Sequence, residues 1–149
     1  MENSLGKMQG LGIALLRWIV GVVFLVHGGQ KLFVFHLAGT AAFFAKAGIP
    51  LPEVSAVVVT LVEFLGGAAL ILGIGTRAAS VLLAVNMLGA IYFVHGRNGF
   101  FLQSGGYEYA LAMLVSNVSL ALTGPGICAI DNLIGKRRLA EPTSRPVAA

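Results

Sequence analysis

The chain is 149 residues long, 57% hydrophobic and only 11% charged, where a soluble globular domain carries about a quarter charged residues. With a mean hydropathy of +0.88, a disordered chain and an ordinary water-facing surface are both excluded, and the implied solvent is lipid. The net charge of +4 does not point to nucleic acid, because the only basic run, Lys136-Arg137-Arg138, follows the last apolar stretch, where anionic headgroups account for it.

A membrane-crossing helix needs ~20 apolar residues, so this length accommodates about four spans and their loops. The first apolar stretch predicts a span over 11–32, interrupted by Arg17, His27 and Lys31. A cleaved signal peptide competes for it, since Lys7 precedes an apolar core. However, no small-x-small site follows Val20–Val26, and three further apolar stretches need a first span to pair with. Next, Thr40 is expected to cap a short helix carrying Phe43, Phe44 and Ala47 and closed by Gly48, too short to cross a bilayer and so placed in the interface. The second span, 54–73, opens after Pro50-Leu51-Pro52-Glu53, where proline suits the first helical turn and Glu53 the positive dipole end, and it stops at Gly73 and Gly75. The third, 78–95, follows the Gly75-Thr76-Arg77 turn, and the fourth, 107–123, is ended by Gly124-Pro125-Gly126. Short loops make consecutive spans antiparallel neighbours. The expected architecture is therefore all-α: an integral membrane four-helix bundle over 11–131, preceded by an N-terminal segment 1–10 and followed by a basic, partly disordered tail 132–149.

Four spans put both termini and the Arg77 turn on one side. That side collects Lys7, Arg77, Lys136, Arg137, Arg138 and Arg145, against Lys31, Lys46 and Arg97 on the other. The positive-inside rule then makes both termini cytoplasmic, in a bacterial inner membrane.

Ionisable groups within spans are costly, roughly 2.5–3.5 kcal/mol each near a helix centre, so they mark where chemistry would reside. Glu63 lies halfway along the second span and shares its face with Thr60, Gly66, Gly67 and Leu70. At 1.5 Å per residue, Arg17, Glu63 and Asn86 lie about 9, 15 and 13 Å above the cytoplasmic end, which predicts one mid-membrane cluster. By the same arithmetic His27 and Lys31 reach the outer third, where His95 ends the third span and Glu108 begins the fourth, and Lys31 is expected to pair with Glu108. For both clusters a purely structural role, gluing helices where lipid offers no other polar partner, competes with a role in holding a ligand or moving protons. A metal site is not expected, since His27, His36, His95 and Glu108 have no ligand spacing on one helix. Phe100, Phe101 and Tyr107 fit either an aromatic belt or the flat walls of a pocket. The lone Cys128 cannot form an internal disulfide or a dithiol relay and reads as an apolar filler, with palmitoylation as the lesser reading.

These residues fall in an order that resembles the DoxX family of small four-span membrane proteins. The resemblance rests on Arg17 followed by His27-Gly28-Gly29-Gln30-Lys31, then Gly48-Ile49-Pro50, and Glu63 with Gly66-Gly67. It continues through Gly73-x-Gly75-Thr76-Arg77, His95-Gly96-x-x-Gly99-Phe100-Phe101, Gly105-Gly106-x-Glu108, and Gly124-x-Gly126 before Asp131. It implies a redox-associated role near quinones, together with soluble or membrane partner enzymes and responses to oxidative stress. The single Cys128 departs from related four-span proteins that use paired cysteines for disulfide formation. The candidate site residues are thus Arg17, His27, Lys31, Glu63, Asn86, His95 and Glu108.

Two function classes follow. One is a redox-associated subunit holding a quinone or another small lipophile, in which Glu63 or Glu108 and a histidine pass protons and Lys31 or Arg17 stabilises an anionic intermediate. The other is a non-catalytic accessory, assembly subunit or chaperone whose polar residues only specify packing. A transporter is the weaker third, since no inverted repeat or broken helix is visible. A homo-oligomer is left open.

Overall fold

The computed structural model describes residues 2–134; the basic run at 136–138 and most of the tail read as disordered lie outside the described residues. Those described form helices and connecting turns in the order α1 (Glu2–Phe33), α2 (His36–Lys46), α3 (Pro52–Leu72), α4 (Thr76–Ala90) and α5 (Glu108–Thr123). The helix of α4 runs on through a π-helical turn, Ile91–His95, and a 3-10 turn, Gly96–Asn98; a second 3-10 turn, Leu102–Ser104, precedes α5. Helices over Ser4–Phe33, Pro52–Leu72 and Thr76–Asn98 are long and apolar enough to cross a membrane, and Glu108–Thr123 is a shorter apolar helix. At ~24 Å, α5 falls short of a ~30 Å hydrocarbon core and needs its flanking residues or local thinning to complete a crossing.

The core is a seam of Val20 and Phe24 from α1, Leu70 from α3, Ala79, Leu83 and Met87 from α4, and Ala110 and Leu120 from α5. The perimeter is apolar as well, with Ile19, Val26, Leu65, Val85, Val115 and Leu122 all exposed, as a bundle facing lipid tails requires.

The tightest contact joins α1 and α3, and glycine makes it possible. A Cβ on Gly28 would overlap the backbone of Phe64, and one on Gly67 the backbone of Leu25. Small residues at such points let two helices approach until their backbones touch, which is where packing energy comes from when lipid removes the hydrophobic drive. At the far end of α3, Gly73 adopts φ +69 and closes the helix as a Schellman cap, with Ile74 N–H donating to Ala69 O at 2.9 Å and Gly73 N–H to Leu70 O at 3.2 Å.

The short helix α2 differs from expectation at its start. It begins at His36, and Thr40 lies within it, its hydroxyl donating back to His36 O at 3.2 Å instead of capping an N-terminus. The chain turns into α2 at His36 itself, whose φ of +56 is a backbone state that rarely falls on a non-glycine residue and leaves no sequence signal. Gly48, at φ +75, lies just past the helix end, as expected.

Candidate functional site

The polar residues of the bundle separate into two sites, one at each end. Toward the α2 end, Glu63 is 4% exposed and both of its oxygens are engaged. Lys31 Nζ donates to Oε2 at 2.5 Å and Asn86 Nδ2 donates to Oε1 at 2.9 Å. Helix geometry explains this meeting. The Cα–Cβ bonds of a helix lean toward its N-terminus, so Lys31, two residues from the end of α1, reaches back into the bundle, while Glu63 on antiparallel α3 leans up to meet it. The resulting triad ties α1, α3 and α4 together across 32 and 23 residues of sequence.

The same lean takes Arg17 the other way. Its guanidinium reaches the end of the bundle that carries the described N-terminal segment. There it donates to Leu70 O, to Ile71 O at 3.0 Å, to Pro125 O at 3.0 Å and to Cys128 O at 2.9 Å. The expected cluster of Arg17 with Glu63 and Asn86 is therefore corrected: Glu63 and Asn86 pair, and Arg17 is fully buried as a clamp on carbonyls. Two of these belong to the C-terminal turn of α3, where carbonyls lack helical partners and the dipole is negative. Beside it, Asp131 accepts from Gly75 N–H at 2.7 Å and Thr76 N–H at 3.0 Å, capping α4. Burial raises the Asp131 carboxyl, but the N–H donors of Thr76 and Gly75 and the Arg17 charge outweigh it, so Asp131 ionises below its ordinary value. Nothing in the sequence reading assigned Asp131 a partner. Its signal was available as an acidic residue that returns to a helix start, though 55 residues separate it from Thr76.

Above the triad opens a cavity of about 790 Å³. His27, Lys31, Glu63, Asn86 and His95 line it, as do the valines Val54, Val58 and Val62, which recur every four residues along one face of α3, and aromatic side chains from four helical segments: Phe24, Phe43, Phe44, Phe93 and Tyr109. A second cavity of about 700 Å³ shares His27, Lys31, Phe43 and Phe44 and extends along α2. Of the two histidines, His95 is anchored by a hydrogen bond: Nδ1 lies 2.9 Å from Gly105 O, and because a carbonyl only accepts, Nδ1 is the donor. His27 packs its ring 6.5 Å from that of Tyr109.

Glu108 and the expected aromatic wall do not line this cavity. Glu108 Oε1 accepts from Leu102 N–H at 2.6 Å, which fixes the loop between α4 and α5, so the expected Lys31–Glu108 pair is replaced by Lys31–Glu63. Phe100 packs edge-on against both Phe101 and Tyr107, each at 5.5 Å, in a cluster belonging to that loop. The walls come instead from α2, the π-helical turn and Tyr109. Thr60, on the face of α3 shared with Glu63, is buried with no partner for its hydroxyl among the described residues. Among the described residues no three His, Cys, Asp or Glu side chains converge on a metal-binding point.

Chemically, the site offers a lipophile an apolar chamber with hydrogen-bonding groups on its walls. Lys31 retains two N–H donors beyond the one given to Glu63, and Asn86 retains its carbonyl oxygen. Each Glu63 oxygen accepts one hydrogen bond, from Lys31 and from Asn86, while His27 and His95 place their rings on the cavity wall.

Comparison with known proteins gives the DoxX family profile over residues 12–96. The chain is similar to the Bacillus subtilis protein named "Putative oxidoreductase CatD", 35% identical over 132 residues that cover 89% of this chain and 93% of that protein. It is similar to the Mycobacterium tuberculosis membrane protein Rv3486, 32% identical over 135 residues, 84% of this chain and 82% of that one. It is also similar to the Escherichia coli inner membrane protein YqjF, 28% identical over 134 residues, 88% of this chain and 98% of that one. No solved structure matches.

Proposed function

This chain belongs to the DoxX family of membrane proteins, and from that premise we propose that it is a redox-associated subunit that binds a quinone or a similar small lipophile inside the bundle. The observation that carries the reading is the cavity itself. A volume of about 790 Å³ lies within the range of small-molecule sites, and its lining has their character, mostly apolar and aromatic with a few convergent polar groups. In this reading Lys31 donates to a carbonyl or oxyanion of the bound ring, Glu63 holds Lys31 in place and is itself held by Asn86, and His27 and His95 exchange protons with the ligand. The oxidoreductase name of the Bacillus relative supports the redox association and supplies no substrate. The valine stripe of α3 and the rings of Phe44 and Phe93 provide the flat apolar contact such a ring needs.

The test is solvent extraction of the purified full chain followed by mass spectrometry, beside a Val58→Trp variant that fills the cavity from a position already 53% exposed. The expected result is a quinone or other non-phospholipid lipophile that accompanies the parent and is depleted from the variant. Recovery of phospholipid alone from both, together with a stable copurifying protein, would instead favour an accessory subunit.

A further inference from the structure

Resting on the reading above, the geometry points to a more specific ligand: we infer that the cavity selects a lipophile that donates a hydroxyl hydrogen, a phenol or hydroquinol, in preference to the corresponding quinone. The inference starts from His95. Its Nδ1–H is committed to Gly105 O at 2.9 Å, which leaves Nε2 as the ring nitrogen open to a ligand, and we take the neutral tautomer, in which Nε2 is an acceptor. Among the described residues no protein donor meets Nε2. The tautomer is set by backbone: Gly105 lies at φ +77 in a loop that is itself held by Glu108 Oε1 on Leu102 N–H and by Tyr107 N–H on Gly99 O.

A second free acceptor lies in the same cavity, since Asn86 gives its Nδ2 to Glu63 and keeps Oδ1 unengaged. Against these stand the spare N–H donors of Lys31. A quinone brings acceptors only. It satisfies Lys31 but leaves the histidine nitrogen and the amide oxygen covered without a donor, and covering an acceptor in that way carries a free-energy penalty. A hydroquinol or phenol satisfies both kinds of group, because each hydroxyl donates one hydrogen and accepts another. Sites built to hydrogen-bond a hydroxyl discriminate strongly against analogues that lack it.

The experiment is calorimetric titration of the full chain in detergent, under argon, with three probes that share one decyl-substituted ring: the hydroquinol, the quinone and the hydroquinone dimethyl ether. The expected result is that the hydroquinol binds at least about tenfold more tightly than either of the others, and that His95→Phe, which keeps a flat ring and removes the acceptor, erases most of that ratio. Equal affinity for all three, or discrimination undiminished in His95→Phe, would overturn the inference while leaving lipophile binding intact. Absence of binding by any probe would remove the broader reading as well. Should His95→Phe fail to fold, nitrogen NMR of histidine-labelled parent protein decides the matter: the hydroquinol, and not the ether, must shift a non-protonated Nε2, and a protonated Nε2 in the ligand-free protein would contradict the premise.

Discussion

Glu63, Lys31 and Asn86 were each legible as polar residues within apolar stretches, but their pairing was not. Counting Cα heights along antiparallel helices puts Arg17, Glu63 and Asn86 at about 9, 15 and 13 Å, close enough for one cluster, whereas each side chain leans from its Cα toward the N-terminus of its own helix. That offset carries Arg17 away from Glu63 and carries Lys31 to it. The consequence for stability is direct. In Glu63→Leu the Lys31 ammonium keeps no anion in a mostly apolar setting, and a loss of several kcal/mol is expected. Glu63→Gln retains an oxygen acceptor and should be milder, and Lys31→Met combined with Glu63→Leu should cost less than the two single losses added together. Thermal unfolding in detergent checks this. Equal melting temperatures for Glu63→Leu and the parent would show that the triad contributes no stability.

The helices followed from the apolar stretches, and their ends followed where glycine or proline punctuates the chain, as at Gly73 and Pro52. The turn into α2 was hidden because a histidine, not a glycine, holds the positive φ there. The π-helical turn at Ile91–His95 has no compositional signature, yet it presents Phe93, Val94 and His95 to the cavity and fits the tendency of such turns to sit at functional sites. Between elements, the Gly28–Phe64 contact admits no side chain. Gly28→Leu is expected to separate α1 from α3 and lower the melting temperature markedly, while Gly12→Leu, with open space around it, should not. The Asp131 cap on α4 adds a pH dependence. Its carboxyl ionises at a lower pH in the folded chain than the ordinary 3.8. The stabilisation is therefore complete above that ordinary value and is lost as pH falls through the lowered folded value. Asp131→Asn should flatten the acid limb of a stability–pH curve, and Asp131→Ala should cost about 1 kcal/mol at neutral pH. An unchanged acid limb in Asp131→Asn would show that the cap does not titrate in this way.

At the scale of the molecule, membrane residence follows from composition alone, and the division of polar residues between two ends follows only from three dimensions. One end is a staple, with Arg17 and Asp131 closing the bundle around the turn from α3 to α4; the other is a chamber floored by Lys31, Glu63 and Asn86. From the charge asymmetry in the sequence, six cationic residues against three, we propose that the chamber faces the non-cytoplasmic leaflet. Alkaline phosphatase fused after Gly99 should be active and fused at the C-terminus inactive, and the reverse pattern would invert the orientation. The claim that joins these scales is that a lipophile occupies the chamber. Photoaffinity labelling with an azido-quinone, followed by peptide mapping, tests it most directly. The expected result is saturable labelling, displaced by unmodified quinol, on peptides carrying Phe43 and Phe44, Val58 and Val62, or Phe93 and His95. Labelling that does not saturate, or that falls on lipid-facing positions such as Ile19, Leu65 and Leu122, would contradict it.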